Sequence, residues 1–188
     1  SDIAVGTNDT VEGDLTAIGR TVRISGVVNG DVLVFAETVS ITGTVNGSIT
    51  GAAKTLKISG TVQNSVRASA IDLIVSGTVG GDLVTASRDT TLTRGSSVAG
   101  SIQMVAGNLA VRGTVVGGIQ GNGNDLAIDG AVTGDVAVNA GTVTVTRNGT
   151  VGGNLTYASE HEAIIFDTGS IAGSIDQTAR YRAIGGTN

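Results

Sequence analysis

Apolar residues recur along this chain in short alternating runs that repeat about every 17 residues, a period typical of stacked repeat units. Each unit opens with a five-residue phrase whose first and fifth positions are apolar, as in the segment from Val28 to Val32. Ten copies begin at Val11, Val28, Val45, Val62, Val79, Val98, Val115, Val132, Val151 and Ile171, and the interval is longer after Val79, Val132 and Val151 than elsewhere. A nearly fixed period is typical of repeat proteins, in which each unit buries its apolar face against its neighbours.

Two further apolar runs complete each unit, and both alternate with a period of two. The first continues the phrase, as in Val32 and Val34, and the second begins later in the unit, as in Val39 and Ile41. This alternation predicts strands with one face inward. Three strands in so short a unit leave only one or two residues per corner. Each strand must therefore pair with its counterpart in the next coil.

The sequence thus predicts an all-β protein, a parallel β-helix (solenoid) of triangular cross-section with about 17 residues per coil and roughly ten coils. Residues 1–188 are predicted to form one domain. Crossovers between parallel strands favour right-handed winding. With neighbouring strands about 4.8 Å apart, ten coils give a rod about 45–50 Å long.

Small residues and insertions mark the predicted corners. The third position of the phrase is Gly in nine copies and Asn64 in the tenth, which predicts a corner with positive φ. Glycine also recurs two residues before the phrase, as at Gly43, and a third column holds only Gly, Ala or Ser, as at Ala36. The longer intervals predict bulged loops near residues 93–97, 147–149, 159–162 and 167–169.

Charge and composition narrow the choice of partners. The formal charge is −5, without an acidic or basic block, which argues against nucleic acid as a partner. The chain has no Cys, and hence no disulfide or thiolate metal site. It has no apolar run of about 18 residues, and so no predicted transmembrane segment.

The location is predicted from two weaker signals. The sequence does not begin with Met, and Asn-x-Ser/Thr tripeptides occur at Asn8, Asn46, Asn148 and Asn154. The missing Met indicates either a removed leader or a trimmed chain, and the tripeptides, most of which chance explains in a chain this rich in Thr and Asn, would matter only in a secreted protein. We therefore expect an extracellular or cell-surface protein ahead of a cytoplasmic membrane-associated scaffold, and association with the membrane or cell envelope fits either location.

Candidate catalytic and metal-binding residues are sparse, and we predict no catalytic site, cofactor or metal. His161 lies in a charged loop without converging partners for metal binding or acid–base chemistry. Asp14, Asp31, Asp82 and Asp135 share one column, but Ser48 and Gly118 interrupt it, and calcium needs six or more gathered oxygens. The column is predicted to hold polar turn residues that bond to their own backbone.

Three other β-helix functions are compared with the sequence. A column of hydroxyls before the phrase, which includes Thr44, Thr61 and Thr78, predicts an alternative role as a monomeric module that binds ice, glycan or cell wall. The spacing does not fit the 18-residue coil of a hexapeptide acyltransferase or the longer coils of pectin-cleaving enzymes. The protein is therefore predicted not to be an enzyme.

The ends of the rod carry the main functional prediction. A β-helix leaves the backbone groups of its terminal coils unpaired, and such edges template the addition of another chain. The strand pattern begins at once with Ile3 and Val5, and the last coil runs through Ile171, Ile175 and Ile184. Coaxial ends do not close into a ring, so identical chains would form a filament. The predicted polymer interface consists of Ile3, Val5, Ile171, Ile175, Tyr181 and Ile184.

The repeated Val-x-Gly-Asp phrase, the length of the coil and the Ser/Thr-Gly-Thr-Val lead-in resemble the bactofilins and related polymer-forming cytoskeletal proteins. The lead-in occurs at residues 42–45, 59–62 and 76–79, and the resemblance covers essentially the whole chain. It implies a right-handed triangular β-helix that polymerises without nucleotide into scaffolding filaments. The chain differs in lacking the disordered tails usual in that family and in having a longer rod.

Overall fold

The structure is a computed structural model that describes residues 1–105, 107–166 and 170–178. All regular secondary structure in these residues is β-strand. The strands are β1 (Asp2–Val5), β2 (Thr10–Val11), β3 (Leu15–Ile18), β4 (Thr21–Ile24), β5 (Val27–Val28), β6 (Val32–Ile41), β7 (Thr44–Val45), β8 (Ile49–Ile58), β9 (Thr61–Val62), β10 (Val66–Val75), β11 (Thr78–Val79), β12 (Leu83–Leu92), β13 (Ser97–Val98), β14 (Ile102–Val105), β15 (Asn108–Val111), β16 (Thr114–Val115), β17 (Ile119–Ile128), β18 (Ala131–Val132), β19 (Val136–Val145), β20 (Thr150–Val151), β21 (Leu155–Ala158), β22 (Ile164–Ile165), β23 (Ser170–Ile171) and β24 (Ile175–Thr178).

These strands form two parallel sheets that both extend from the first coil to the last described one. The two-residue strands stack in the order β2-β5-β7-β9-β11-β13-β16-β18-β20-β23. The longer strands stack in the order β1-β4-β6-β8-β10-β12-β14-β17-β19-β21-β24, with β3, β15 and β22 beside this path. Val45 pairs with Val62, and Leu56 with Leu73, each one period further along the chain. The predicted parallel solenoid of about ten turns is confirmed, whereas its right-handed winding stays a prediction.

The second and third strands predicted for each unit are joined in most coils. In β6, Val32 and Val34 are buried before the corner, and Val39 and Ile41 after it. The inward position thus changes from even to odd residue numbers within one strand. The pairing of β6 with β8 skips one residue at this bend, Glu37. The predicted corner is present, but the ladder continues around it instead of ending there.

The core is a set of aliphatic columns inside the coils. Val28, Val45 and Val62 follow one another in one column, and each is fully buried. Burial of an aliphatic side chain contributes about 1.5–3 kcal/mol relative to its exposure. The interior coils repeat this contribution, so the stacked columns stabilise the rod along its length.

One coil places hydroxyl groups in the core. Thr90 occupies the column that Leu73 and Leu109 fill in the neighbouring coils, and it is only 4% exposed. Thr85 Oγ1 lies 3.2 Å from Thr90 Oγ1 and donates to Ser87 Oγ at 2.8 Å. Because buried hydroxyls need partners, the three side chains satisfy one another.

The sequence predicts positive φ for the glycines at the third position of the phrase. This prediction is wrong for all but one of those that the structure describes. Gly13 alone among them has a left-handed φ, of 104°. At Gly30, an added Cβ would overlap the backbone of Gly13, and at Gly60, in the second glycine column, it would overlap the carbonyl oxygen of Gly43. Close approach between coils, more than φ, therefore requires glycine in these columns.

Bulged loops lie at one corner where the sequence predicts them. Residues 93–96 and 146–149 form tight turns closed by hydrogen bonds from Ser96 N–H to Thr93 O at 3.1 Å and from Gly149 N–H to Thr146 O at 3.0 Å. A similar turn at residues 6–9 was not predicted. Residues 159–163 separate β21 from β22, as expected, and residues 167–169 lie outside the described residues.

Candidate functional site

The terminal strands have a partner on one side only within the described residues. At the N-terminal end, β1, β2 and β3 pair with β4, β5 and β6. At the other end, β23 and β24 pair with β20 and β21. Among the described residues, the outer edges of these strands therefore have no strand partner for their backbone N–H and C=O groups, and such edges can template the addition of a further strand.

The residues predicted for the interface differ in their burial. Ile3 and Ile171 are half-buried, and Ile175 is 49% exposed. Val5 is only 6% exposed, so it already lies inside the core and offers little surface to a partner. Tyr181 and Ile184 lie outside the described residues. The structure thus leaves Ile3, Ile171 and Ile175 as partly uncovered aliphatic groups near the ends.

Two further end residues were missed in the sequence analysis. Val11 and Leu15 are half-buried in the first coil and pack against the core. Their counterparts one coil further on, Val28 and Val32, are buried to 0% and 1% exposure. The repeat alignment contained this signal, because an inward position in a terminal coil lacks the covering coil that interior positions have.

The fourth position of the phrase forms a hydrogen-bonded ladder along one corner. Asp31 N–H donates to Asp14 Oδ1 at 2.8 Å, and Ser48 N–H donates to Asp31 Oδ1 at 2.7 Å. The same bond from one coil to the oxygen of the previous coil is donated by Ser65, Asp82, Ser101, Gly118, Asn154 and Ser174. The predicted bond of these residues to their own turn is wrong, because the donor belongs to the next coil.

This ladder explains the mixed composition of the column. Asp, Ser and Asn all place an oxygen one or two bonds beyond Cβ, and each can accept from a backbone N–H. Gly118 has no side-chain oxygen, so the step to Asp135 lacks the bond. A calcium site would also require aspartates. The hydrogen bonds between coils, however, are sufficient to account for the aspartates in this column.

Asp129 joins two of the bulged loops. Its carboxylate accepts a hydrogen bond from Thr146 Oγ1, one from Asn148 Nδ2 at 3.0 Å and one from Arg94 at 3.2 Å. The hydrogen bond from Thr146, followed by that from Asn148 and the charge of Arg94, lowers the pKa of Asp129 below its ordinary value. The loops at residues 93–96 and 146–149 are thereby held by one ionised group.

The hydroxyl column lies on the sheet of two-residue strands. Register pairs Thr44 with Thr61, Thr61 with Thr78, Thr78 with Ser97, and Ser97 with Thr114. Val27 and Ala131 occupy the same column on either side of this run. Five successive coils therefore present hydroxyl groups in line on a lateral face.

The remaining candidates give no converging chemistry. His161 is exposed, and its backbone N–H donates to Ser159 Oγ at 3.1 Å. Among the described residues, no group of three or more His, Asp or Glu side chains could hold a metal ion. No helix in the same residues is long and apolar enough to cross a membrane.

The fold defines the protein as a β-solenoid. Comparisons with protein-family models, with curated proteins and with solved structures found no match to this chain.

Proposed function

We propose that the protein is a structural protomer that assembles end to end into a nucleotide-independent filament or scaffold. The observation that carries this proposal is the presence, at both ends of the described solenoid, of strand edges paired on one side only. Unpaired parallel edges template the addition of another chain. The proposed role requires no catalytic group, cofactor or metal.

Partly uncovered aliphatic side chains support the same proposal. Ile3, Val11 and Leu15 near one end and Ile171 and Ile175 near the other occupy positions that an added coil would cover. Interior residues of the same columns are almost completely buried. Contact between two ends would therefore bury apolar surface and pair backbone groups together, and both changes favour association.

The geometry of the ends favours an open assembly. Heterologous contacts generate rings when their rotation closes and filaments when it does not. Strands that stack along one axis from coil to coil add the next subunit along the same axis. The resemblance of the repeat to bactofilins supports the same role, and we propose kinship with that family on this basis.

Electron microscopy with charged end variants tests the proposal. The purified chain is expected to form unbranched filaments by negative stain without nucleotide or metal. Ile3→Lys and Ile175→Lys place a charge at either end and are expected to abolish filaments while circular dichroism still shows a folded β protein. Thr78→Lys, an exposed lateral change of the same charge, is the matched control and should assemble normally. Filaments of normal length from both end variants would refute the proposal.

A lateral binding module is a second candidate, favoured by the in-register run from Thr44 to Thr114. An aligned hydroxyl array on a flat sheet can match a repeating surface such as ice or a polysaccharide. This role predicts discrete rods at high protein concentration. It also predicts loss of binding to ice or insoluble glycan in Thr61→Lys but not in Ile175→Lys.

A further inference from the structure

We propose that two copies of this chain pair side by side, in opposite directions, through one lateral face of the rod. That face is the outward side of β3 and of the strands that stack on it as far as β14. A two-fold contact of this kind uses the same patch on both copies, so the patch must complement itself when it is reversed. The contact lies on the side of the rod and does not depend on assembly at its ends.

Exposed apolar side chains are concentrated on this face. Of the nine large apolar side chains that are exposed in the described part of the chain, five lie on this face or at the bend beside it. Ile18 pairs in register with Phe35, which is 43% exposed, and Leu33 lies two residues before Phe35. Contiguous apolar surface marks an interaction site, whereas single exposed apolar residues do not. With the half-buried Val84, these residues form a set that we call the apolar strip: Ile18, Leu33, Phe35, Ile71, Val84 and Val105.

The apolar strip has defined limits along the rod. It begins in the first coil, which opens with Val11, and stops in the sixth coil, which opens with Val98. The same outward columns continue beyond it with the polar residues Gln120, Asn122 and Asn139. Six coils correspond to a length of about 29 Å. A two-fold axis parallel to the strands, between the third and fourth coils, therefore lays the strip of one copy on that of the other over its full length.

Side-chain sizes match in this arrangement. The first coil of one copy faces the sixth coil of the other, the second faces the fifth, and the third faces the fourth. Phe35, the largest side chain of the strip, then lies opposite Ala86. A depression of the surface at this point is lined by Ala86, Arg88, Val105 and Asn124. Leu33 lies opposite Val84, so apolar groups also meet in the second column. A large residue facing a smaller one lets the two layers interdigitate without overlap.

Charged residues at the bend beside the strip favour the same register. Glu37, Lys54, Ile71 and Arg88 occupy equivalent positions in successive coils. Full overlap sets Glu37 opposite Arg88 and Lys54 opposite Ile71, so opposite charges meet at the edge of the contact. Moving the axis to the third coil would set Lys54 opposite Lys54, and moving it to the fourth would set Arg67 opposite Arg67. Like charges juxtaposed across an interface oppose association, and both neighbouring registers are therefore disfavoured.

A parallel arrangement of the two rods fits the strip less well. A two-fold axis along the rod would set each coil opposite the same coil of the second copy, with the two outward columns exchanged. Leu33 would then face Phe35, while Thr50 would face Ala52. Two large side chains would overlap in one layer, and two small ones would leave a gap in the next. Well-packed interfaces contain neither, so the antiparallel arrangement is favoured.

A mass measurement on protein that forms no filaments tests the contact. The Ile3→Lys/Ile175→Lys variant of the full chain, with both ends charged, is expected to show twice the mass of one chain by light scattering after gel filtration. Adding Phe35→Lys places a charge opposite Ala86 and is expected to return the mass to that of one chain. Gln120→Lys, an exposed change on the same face just beyond the apolar strip, is the matched control and should stay dimeric. Circular dichroism should show a folded β protein for every variant.

Cysteine cross-linking tests the direction and the register, because the chain contains no Cys of its own. Thr16 and Gln103 are exposed on the same face and lie opposite each other in the proposed dimer. Within one copy they are five coils apart, about 24 Å, which a short bismaleimide does not span. A mixture of T16C and Q103C, each in the chain with charged ends, is expected to give a covalent dimer, and neither variant alone should do so. T156C, further along the same outward column, replaces Q103C in the control mixture and should not cross-link.

The lateral contact and the proposed function fail through different results. The mass of a single chain at every concentration of the charged-end variant would overturn the lateral contact, whether or not the unmodified chain forms filaments. Dimers of an unmodified chain that forms no filaments would overturn the proposed function and leave the lateral contact standing. Dimers that persist with Phe35→Lys would overturn the apolar strip as the interface. Cross-linking of T16C alone would overturn the antiparallel direction, because a parallel pair sets the two Thr16 residues in the same layer.

Discussion

At many positions in this rod, contacts with the preceding and the following coil restrict which residue type fits. Gly43, Gly60 and Gly77 lie over one another, and a Cβ on any of them would overlap a backbone carbonyl of the preceding coil. Asp31 and Ser48 are selected in the same way, because each accepts a backbone hydrogen bond from the following coil. The residue type at these positions is therefore determined by contacts with the neighbouring coils more than by the conformation of the local turn.

Gly60→Ala is expected to destabilise the rod by about 1–3 kcal/mol or more, the usual range for overpacking. The added methyl group would overlap the Gly43 carbonyl oxygen, and neither backbone can move without disturbing two ladders. Thermal unfolding followed by circular dichroism measures the change. Lys57→Ala, at an exposed position of the same coil, is the control and should change stability by less than about 0.5 kcal/mol. Equal melting temperatures for the two variants would refute the steric explanation.

Asp129→Asn is expected to lower the melting temperature at pH 7 by about 2–4 °C. The lowered pKa of Asp129 means that the folded state favours the ionised carboxylate. Its contribution is complete above the ordinary Asp pKa of about 3.9 and is lost as the pH falls through the lower pKa of the folded state. Melting temperatures of both proteins should therefore converge in acid. A gap that stays constant from pH 7 to about pH 2 would contradict this account.

Strands in this fold depend on side-chain ladders as well as backbone pairing. The corner ladder adds one hydrogen bond to most steps between coils, and it aligns neighbouring strands in register. Because register decides which residues face inward, a bond that fixes it also protects the core.

Asp31→Ala is expected to cost about 1 kcal/mol, because the Ser48 N–H loses its acceptor. Asp31→Ser should recover most of the loss, since serine accepts the same bond from Ser65 and Asp82 elsewhere in the column. Urea unfolding of the three proteins measures the difference. Thr50→Ala, an exposed change outside the ladder, provides the baseline. Failure of serine to restore stability would show that the ladder oxygen is not the stabilising group.

The strand pattern could be predicted because burial alternates with a period of two, and the coil length followed from the spacing of valines such as Val45 and Val62. The prediction of positive φ for the phrase glycines was wrong because glycine can be required for either of two reasons. One is a left-handed backbone conformation, and the other is close packing that leaves no room for a Cβ. Sequence does not separate these causes. Thr90 broke the aliphatic pattern, and its buried partner Thr85 is identified only by contact across the core. The end residues Val11 and Leu15 were predictable from their columns.

The rod as a whole is built from nearly equivalent coils, each in contact with its neighbours. Of the long strands, β8 pairs with β6 and β10, and β17 pairs with β14, β15 and β19. Stability in such an array is approximately a sum of unit terms and nearest-neighbour terms. The number of interior coils can therefore change while the ends remain the same.

Deletion of residues 46–62 removes one complete period and is expected to leave a folded rod shorter by about 4.8 Å. The remaining strands keep their register, because Val45 then precedes Gln63 in place of Asn46. Far-ultraviolet circular dichroism should retain the β spectrum, with a modestly lower melting temperature. Deletion of residues 46–54 is the control and should abolish folding, because it leaves a coil of about half a period, which is too short to place its strands beside those of the next coil. Loss of structure in both deletions would contradict the modular account.

The direction of the hydrogen bonds has a mechanical consequence. Bonds between coils run along the axis of the rod, so tension applied at its two ends passes through each coil interface in series. Under such a load the interfaces do not share the force, and the one with the smallest rupture force yields first. The step from Gly118 to Asp135 lacks the corner bond that the neighbouring steps contain. Under axial tension the coils would therefore begin to separate at this interior step as well as at the ends of the rod.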